Sequence, residues 1–362
     1  MSKRNFKNLS LCFFILLLAV TGQGQHKTEN LVIVTLDGMR WQEIFGGVDE
    51  VLLNDSTFNH DREGLKNKFW AVSPEERRQK LFPFLWSVIA AQGQIYGNRK
   101  YDNKIDNANR YWFSYPGYNE IFTGYPDSLV NSNDKIYNKN ESVLEFINKQ
   151  KGYKGKVAAF STWDAFPFIL NEPRSKIYVN ADIDTLQFKT PALSLLNDMQ
   201  FLTNKPSGVR PDVITYFAAR EYLKEYKPKV LYIAFDETDH FAHEGLYDQY
   251  IGSAYSQDAM IGDLWKLLQS MPQYKNKTSL LITCDHGRGD KKKSDWKHHG
   301  SKIAEAHEIW LAAIGPDIKA LGEIKTPMQL YQMQLATTIA KLLRFNFKPT
   351  HPVQDPVGPI FE

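Results

Sequence analysis

The chain has 362 residues, of which 43% are hydrophobic, 23% charged and 13% aromatic. That is enough apolar material for one large domain or two ordinary ones, and too much for a disordered or low-complexity chain. Lys plus Arg is 44 and Asp plus Glu is 41; Lys3, Arg4 and Lys7 lie in the first 25 residues, which hold no acid, so 44 less these three leaves 41 of each sign. A neutral remainder excludes nucleic acid as the main partner.

Residues 1–25 have the layout of a secretory signal peptide. The three cations precede a mostly apolar run of twelve residues, 9–20, and small residues follow around 21–24. A bilayer-spanning helix needs about 20 apolar residues. Leu11, rather than a small residue, precedes Cys12, which argues against lipid attachment. The mature chain is therefore expected to be exported, periplasmic or secreted, with no membrane span. Cleavage would leave Cys284 alone, so no internal disulfide could form and stability must come from the core, from bound metal, or from both. Within SLLITC, Cys284 reads as a small buried hydrophobe.

The first apolar run beyond this segment, residues 31–36 (LVIVTL), predicts a strand ending at Asp37-Gly38. A helical period follows over 81–91. The string YWFSYPGYNEIFTG puts Ser114 just ahead of Pro116, at the start of an expected helix. There the helix N-terminus and a neighbouring metal would favour a serine nucleophile; a capping serine is the plainer alternative. A helix over 143–149, a strand over 157–160 and a helix over 213–225 come next. The strand predicted over 230–235 (VLYIAF) runs into Asp236, Asp239, His240 and His243. A helix over 253–268 leads to a strand over 280–283, followed by Asp285-His286-Gly287. The string DWKHHG adds His298 and His299, and a strand over 309–314 and a helix over 328–343 close the series. Polar, aromatic-rich stretches near 50–80, 95–118 and 165–210 read as long connections or a small subdomain over the sheet.

Strands alternating with helices predict an α/β fold with a largely parallel sheet, in which ligands bind beyond the carboxyl ends of the strands. Three strand ends here deliver carboxylates, and two of them histidines, to one edge. Those side chains are good ligands for zinc and similar ions. Asp37, Asp285 and His286 fit one ion; Asp239, His243 and either His298 or His299 fit a second. Asp239 and His243 are spaced i, i+4, which puts them on one side of a helical turn, but Asp236 and His240 have the same spacing. His26, His60 and His351 fall outside the pattern, and the run Lys291–Lys293 reads as a solvated loop. Two metals flanking a phosphorus or sulfur centre would clamp the attacking and leaving oxygens.

The ordered strings LVIVTLDG, SYPGYNEIFTG, TDHFAHEG, ITCDHG and KHHG, spread from about residue 31 to residue 316, resemble the alkaline phosphatase superfamily, and most nearly its type I phosphodiesterase/nucleotide pyrophosphatase branch. The resemblance implies a three-layer fold, with a mostly parallel central sheet and helices on both faces, in a single domain over residues 26–362 with insertions over the active site. It implies two divalent ions, zinc or manganese, and a small-molecule phosphoester substrate. Asp37, Ser114, Asp285 and His286 would form one metal site, with Ser114 also the nucleophile, and Asp239, His243 and His299 the other. Asp239/His243 fits the family string better than Asp236/His240 because Gly245 follows His243 by two; His299 is favoured because Gly300 follows it directly. Asn133 is the candidate for binding a substrate oxygen.

Departures from relatives shape the expected substrate. The sulfatase string C/S-x-P-x-R has Tyr118 where Arg is required. The Lys-x-Arg pair of some phosphomonoesterases is missing at Trp163-Asp164-Ala165, although Lys135 or Arg174 could compensate. A diester is therefore favoured, because a dianionic monoester needs more cationic compensation. Ser114 would attack phosphorus and water would release the phosphoseryl enzyme, with configuration retained overall. Trp112, Tyr115, Tyr118 and Trp163 are candidate stacking residues, with aromatic packing the default. Other readings on the same scaffold are a phosphomonoesterase, a phosphoryl transferase, a sulfatase and an inactive metal-binding module.

Overall fold

A computed structural model describes residues 27–205 and 208–361; the expected signal peptide lies outside them. The strands are β1 (Asn30–Leu36), β2 (Gly93–Tyr96), β3 (Asn103–Asp106), β4 (Val157–Ser161), β5 (Tyr178–Ala181), β6 (Val230–Phe235), β7 (Thr278–Thr283), β8 (Glu308–Ile309), β9 (Leu311–Ile314), β10 (Gly322–Glu323) and β11 (Met328–Tyr331). Eight form one sheet in the order β10-β2-β9-β7-β1-β6-β4-β5, and β11-β3-β8 form a small second sheet. In the large sheet β9 alone runs antiparallel to its neighbours. Every residue of β1, β4, β6, β7 and β9 is buried, so both faces of the sheet are covered. That explains why these strands are continuous apolar runs rather than alternating ones.

The order β7-β1-β6 carries the consequence for function. Leu36 stands beside Phe235, and Thr35 beside Thr283. The three motif-bearing strands are thus adjacent, parallel and in register, and their carboxyl ends fall at one place on the sheet edge. The helices Asp212–Tyr226 and Tyr247–Ser270, each longer than the period predicted, contribute buried apolar faces to the core. Among the described residues no helix is long and apolar enough to cross a membrane.

Three expectations need correction. The helix over 81–91 is broken: a regular helix, Pro74–Leu81, ends before Pro83, and a wider turn, Leu85–Ile89, leads to the short helix Ala90–Gln92. The period over 328–343 holds only for Leu335–Leu342, because Met328–Tyr331 pairs with β3 as a strand. The strand over 309–314 splits at Trp310, where the chain passes from the small sheet to the large one. The stretches read as connections are partly ordered as well; β2 and β5 join the main sheet, and three helices occupy 50–81. Cys284 is fully buried, as expected.

Candidate functional site

Ser114 is the first residue of a ten-residue helix, Ser114–Thr123, all of it buried. Phe113 enters in extended conformation, and Pro116 lies in the first turn, where a backbone N–H has no helical partner to lose. Gly117 lets this helix rest on the end of β7: a Cβ there would lie 2.5 Å from the carbonyl oxygen of Asp285. The approach leaves Ser114 Oγ 3.5 Å from His286 Nε2. The Tyr115 N–H beside the serine donates to Asn133 Oδ1 at 2.9 Å, so Asn133, though exposed, is anchored next to Ser114.

Around His286 Nε2 lie Asp37 Oδ1 and Asp285 Oδ2, each at 3.4 Å, and Asp239 Oδ1 at 3.7 Å. Asp239 comes from the short helix Glu237–His243, which is tied to β1 by a hydrogen bond of 2.7 Å from Thr238 Oγ1 to the Asp37 carbonyl. His243 Nε2 is 3.1 Å from Asp239 Oδ2 and 2.9 Å from His299 Nε2. The His299 ring stacks on His286 at 4.0 Å, which joins the two groups into one centre. Two three-ligand clusters result, Asp37/Asp285/His286 and Asp239/His286/His299, with His243 at the edge of the second. The structure thus brings together Asp37, Ser114, Asp239, His243, Asp285, His286 and His299, with Asn133 adjacent. Of the alternatives, His240 turns its ring toward Phe241 and His298 is exposed; neither joins either cluster.

The donor set fits divalent cations. Asp37 Oδ1 and Asp285 Oδ2 are buried without a hydrogen-bond partner, and a buried carboxylate oxygen normally has one. Burial, then the charges of Asp285, Asp239 and Asp236, pushes the Asp37 carboxyl well above its ordinary range; burial raises Asp285 and Asp236 too. Such a cluster is short of positive charge, which cations would supply. Burial, reinforced by His286, lowers His299 well below the usual histidine range, so it stays neutral and free to ligate.

Arg288, and the roles that Tyr118 and Trp112 take at the centre, escaped the sequence reading. Tyr118 Oη donates to Asp37 Oδ2 at 2.8 Å; its signal was the i, i+4 spacing from Ser114. The Arg288 guanidinium pairs with Asp239. Burial tends to raise the Asp239 carboxyl, but Arg288, then His243 and His299, hold it well below the carboxylate range. Trp112 has a left-handed φ of 53°, unusual for a bulky residue, and its carbonyl accepts from Gly300 N at 2.9 Å beside His299. Of the candidate stacking residues, Tyr115 is buried with its hydroxyl donating to the Ile136 carbonyl, and Tyr118 packs on Phe166. Both are committed to the core.

The comparisons agree with this picture. The solved structures resembling the chain include the alkaline phosphatase PafA (TM-score 0.61, 10% identity, 92% of this chain and 99% of that one). The lipoteichoic acid synthase LtaP from Listeria monocytogenes gives 0.57 at 12% identity, covering 93% and 76%. BT1596, a 2-O GAG sulfatase, gives 0.56 at 14%, covering 92% and 74%. These likenesses establish the alkaline phosphatase-like fold. No curated protein sequence matches the chain significantly. Its residues 31–329 match the family described as type I phosphodiesterase / nucleotide pyrophosphatase, which is most of the chain. The chain therefore belongs to that family, on an alkaline phosphatase-like fold, and is a phosphoester hydrolase.

Proposed function

We propose that this protein is an exported, two-metal phosphodiesterase that works through Ser114 and a phosphoseryl intermediate, in a single domain over residues 26–362. The observation that carries the reading is the position of Ser114 Oγ, at a helix N-terminus and 3.5 Å from the histidine shared by both ligand clusters. Asp37, Ser114, Asp285 and His286 would hold one ion, and Asp239, His243 and His299 the other. Bound zinc or manganese would supply Lewis-acid stabilisation of charge building on the phosphoryl oxygens.

The chain's own residues supply the rest. Ser114 Oγ, its proton lost to solvent, forms a bond to phosphorus as the ester oxygen leaves and takes a proton from water. Water then attacks the same phosphorus, giving a proton to the departing Oγ, which restores Ser114 and releases the monoester product. Asn133, fixed through Oδ1, has its amide N–H₂ available for a phosphoryl oxygen. Tyr118 and the Gly38 N–H, which donates to Asp285 Oδ1 at 3.1 Å, hold the two carboxylates in place.

Preference for a diester is supported by the commitments of the two candidate cations: Lys135 pairs with Asp164, and Arg174 with Glu145. The Lys135–Asp164 pair is about half exposed, and exposed pairs hold weakly, so a monoester able to recruit Lys135 is the second reading. Export is supported by the basic and apolar pattern of residues 1–25. The test compares chromogenic phosphodiester, phosphomonoester and sulfate ester substrates, with zinc or manganese, with chelator, and with Ser114→Ala. Metal-dependent turnover, fastest on the diester and abolished in Ser114→Ala, is expected. Equal turnover in the variant would refute the nucleophile.

A further inference from the structure

We infer that Arg288 is a positioning residue for the Asp239/His243/His299 metal site, a guanidinium fork that fixes the Asp239 carboxylate and the loop carrying His299 against the strand end carrying His286. The inference rests on the two-metal reading above. Arg288 is fully buried, so it is not placed to meet substrate from solvent. Its Nη2 pairs with Asp239 Oδ1 and donates at 3.1 Å to the Asp239 carbonyl. Its Nη1 donates at 2.7 Å to the carbonyl of Lys297, two residues before His299. Since Arg288 itself follows His286 by two, one side chain joins three segments, each bearing a ligand. A planar fork can do this, whereas the single ammonium of lysine cannot span the same acceptors.

Gly38 makes room for the pair. It has a φ of +59°, and a Cβ there would lie 2.7 Å from Asp239 Oδ1 and 2.9 Å from Arg288 Nε. The glycine after Asp37 therefore serves the neighbouring ligand as well as its own turn. A positive charge beside a cation site opposes metal binding by Coulomb repulsion, so retaining a buried arginine there calls for a compensating gain. Orientation of the carboxylate provides it; partners behind metal ligands are commonly worth 10–100-fold in affinity.

The test strips the full-length protein of metal and titrates zinc back in competition with a chromogenic chelator, for wild type, Arg288→Met, Arg288→Lys, Asp239→Asn and the Asp239→Asn/Arg288→Met double variant. Wild type should bind two equivalents. Arg288→Met should bind one equivalent at wild-type affinity, a built-in check of folding, and the other about 10–100-fold more weakly. Arg288→Lys should fall between, and it carries the comparison if the methionine variant fails to fold. In the Asp239→Asn background, Arg288→Met should add little. Unchanged affinities, tighter binding, equal loss of both equivalents, or full additivity in the double variant would each overturn the inference. Fewer than two equivalents in wild type would instead remove the two-metal reading beneath it.

Discussion

Tyr118→Phe isolates one hydrogen bond behind the proposed metal centre. The substitution removes only the hydroxyl that donates to Asp37 Oδ2 at 2.8 Å, and leaves the ring packed on Phe166 at 4.7 Å. The phenol is a dependable donor: burial, then the charges of Asp285 and Asp37, hold it protonated far above neutral pH. Both atoms are buried, so water does not replace the lost donor. A hydrogen bond to a charged group is worth about 1.5–3 kcal/mol, and each 1.4 kcal/mol is tenfold in an equilibrium constant. Affinity for zinc at the Asp37/Asp285/His286 site should thus fall about 10- to 150-fold. The chelator-competition titration measures this, with turnover followed as zinc is added. Recovery of most activity at high zinc is expected, because Asp37 is retained and only its orientation loosened. Wild-type affinity in a folded Tyr118→Phe protein would refute the argument that this bond organises the site.

His243→Ala should bind one equivalent of zinc fewer, whereas His240→Ala should bind the wild-type number; the reverse would return the ligand pair to Asp236/His240. Gly117→Ala should cut turnover at least tenfold while costing about 1–3 kcal/mol in denaturant unfolding, because its methyl collides with the Asp285 backbone under the helix that begins at Ser114; wild-type turnover would show that the helix can shift freely. Asp258 accepts backbone N–H bonds from Phe84 and Leu85 at 2.7 and 3.0 Å, yet burial pushes its carboxyl up from the ordinary aspartate range to about 7. A raised acid binds its proton more tightly folded than unfolded, so its contribution is fully present below about pH 4 and is lost as pH rises through about 7. Thermal melts between about pH 5 and about pH 8 should accordingly show a shallower pH dependence in Asp258→Asn than in wild type.

Much of the centre was legible in the chain because buried parallel strands announce themselves as apolar runs, and the residue types that end them are written next to them. Asp37, Asp285 and His286 need only the strand period and the rule that ligands gather at carboxyl ends. The helix start at Ser114 and the i, i+4 pair of Asp239 and His243 are likewise local. The errors were local too: the wider turn at Leu85–Ile89 and the strand Met328–Tyr331 contain apolar spacings that suit either a helix or a pairing with a distant strand.

What no window of sequence contains is the order of the strands. That β7, β1 and β6 lie side by side, so that motifs nearly 250 residues apart meet at His286, is decided by how the whole sheet buries both of its faces. The same packing set His243 rather than His240 beside His299, stacked His299 on His286, and turned Tyr118 and Arg288 onto carboxylates far away in the chain. Residue chemistry and short-range periodicity are fixed by neighbours along the chain. Charge compensation inside the protein depends on neighbours in space, and only the folded structure supplies those.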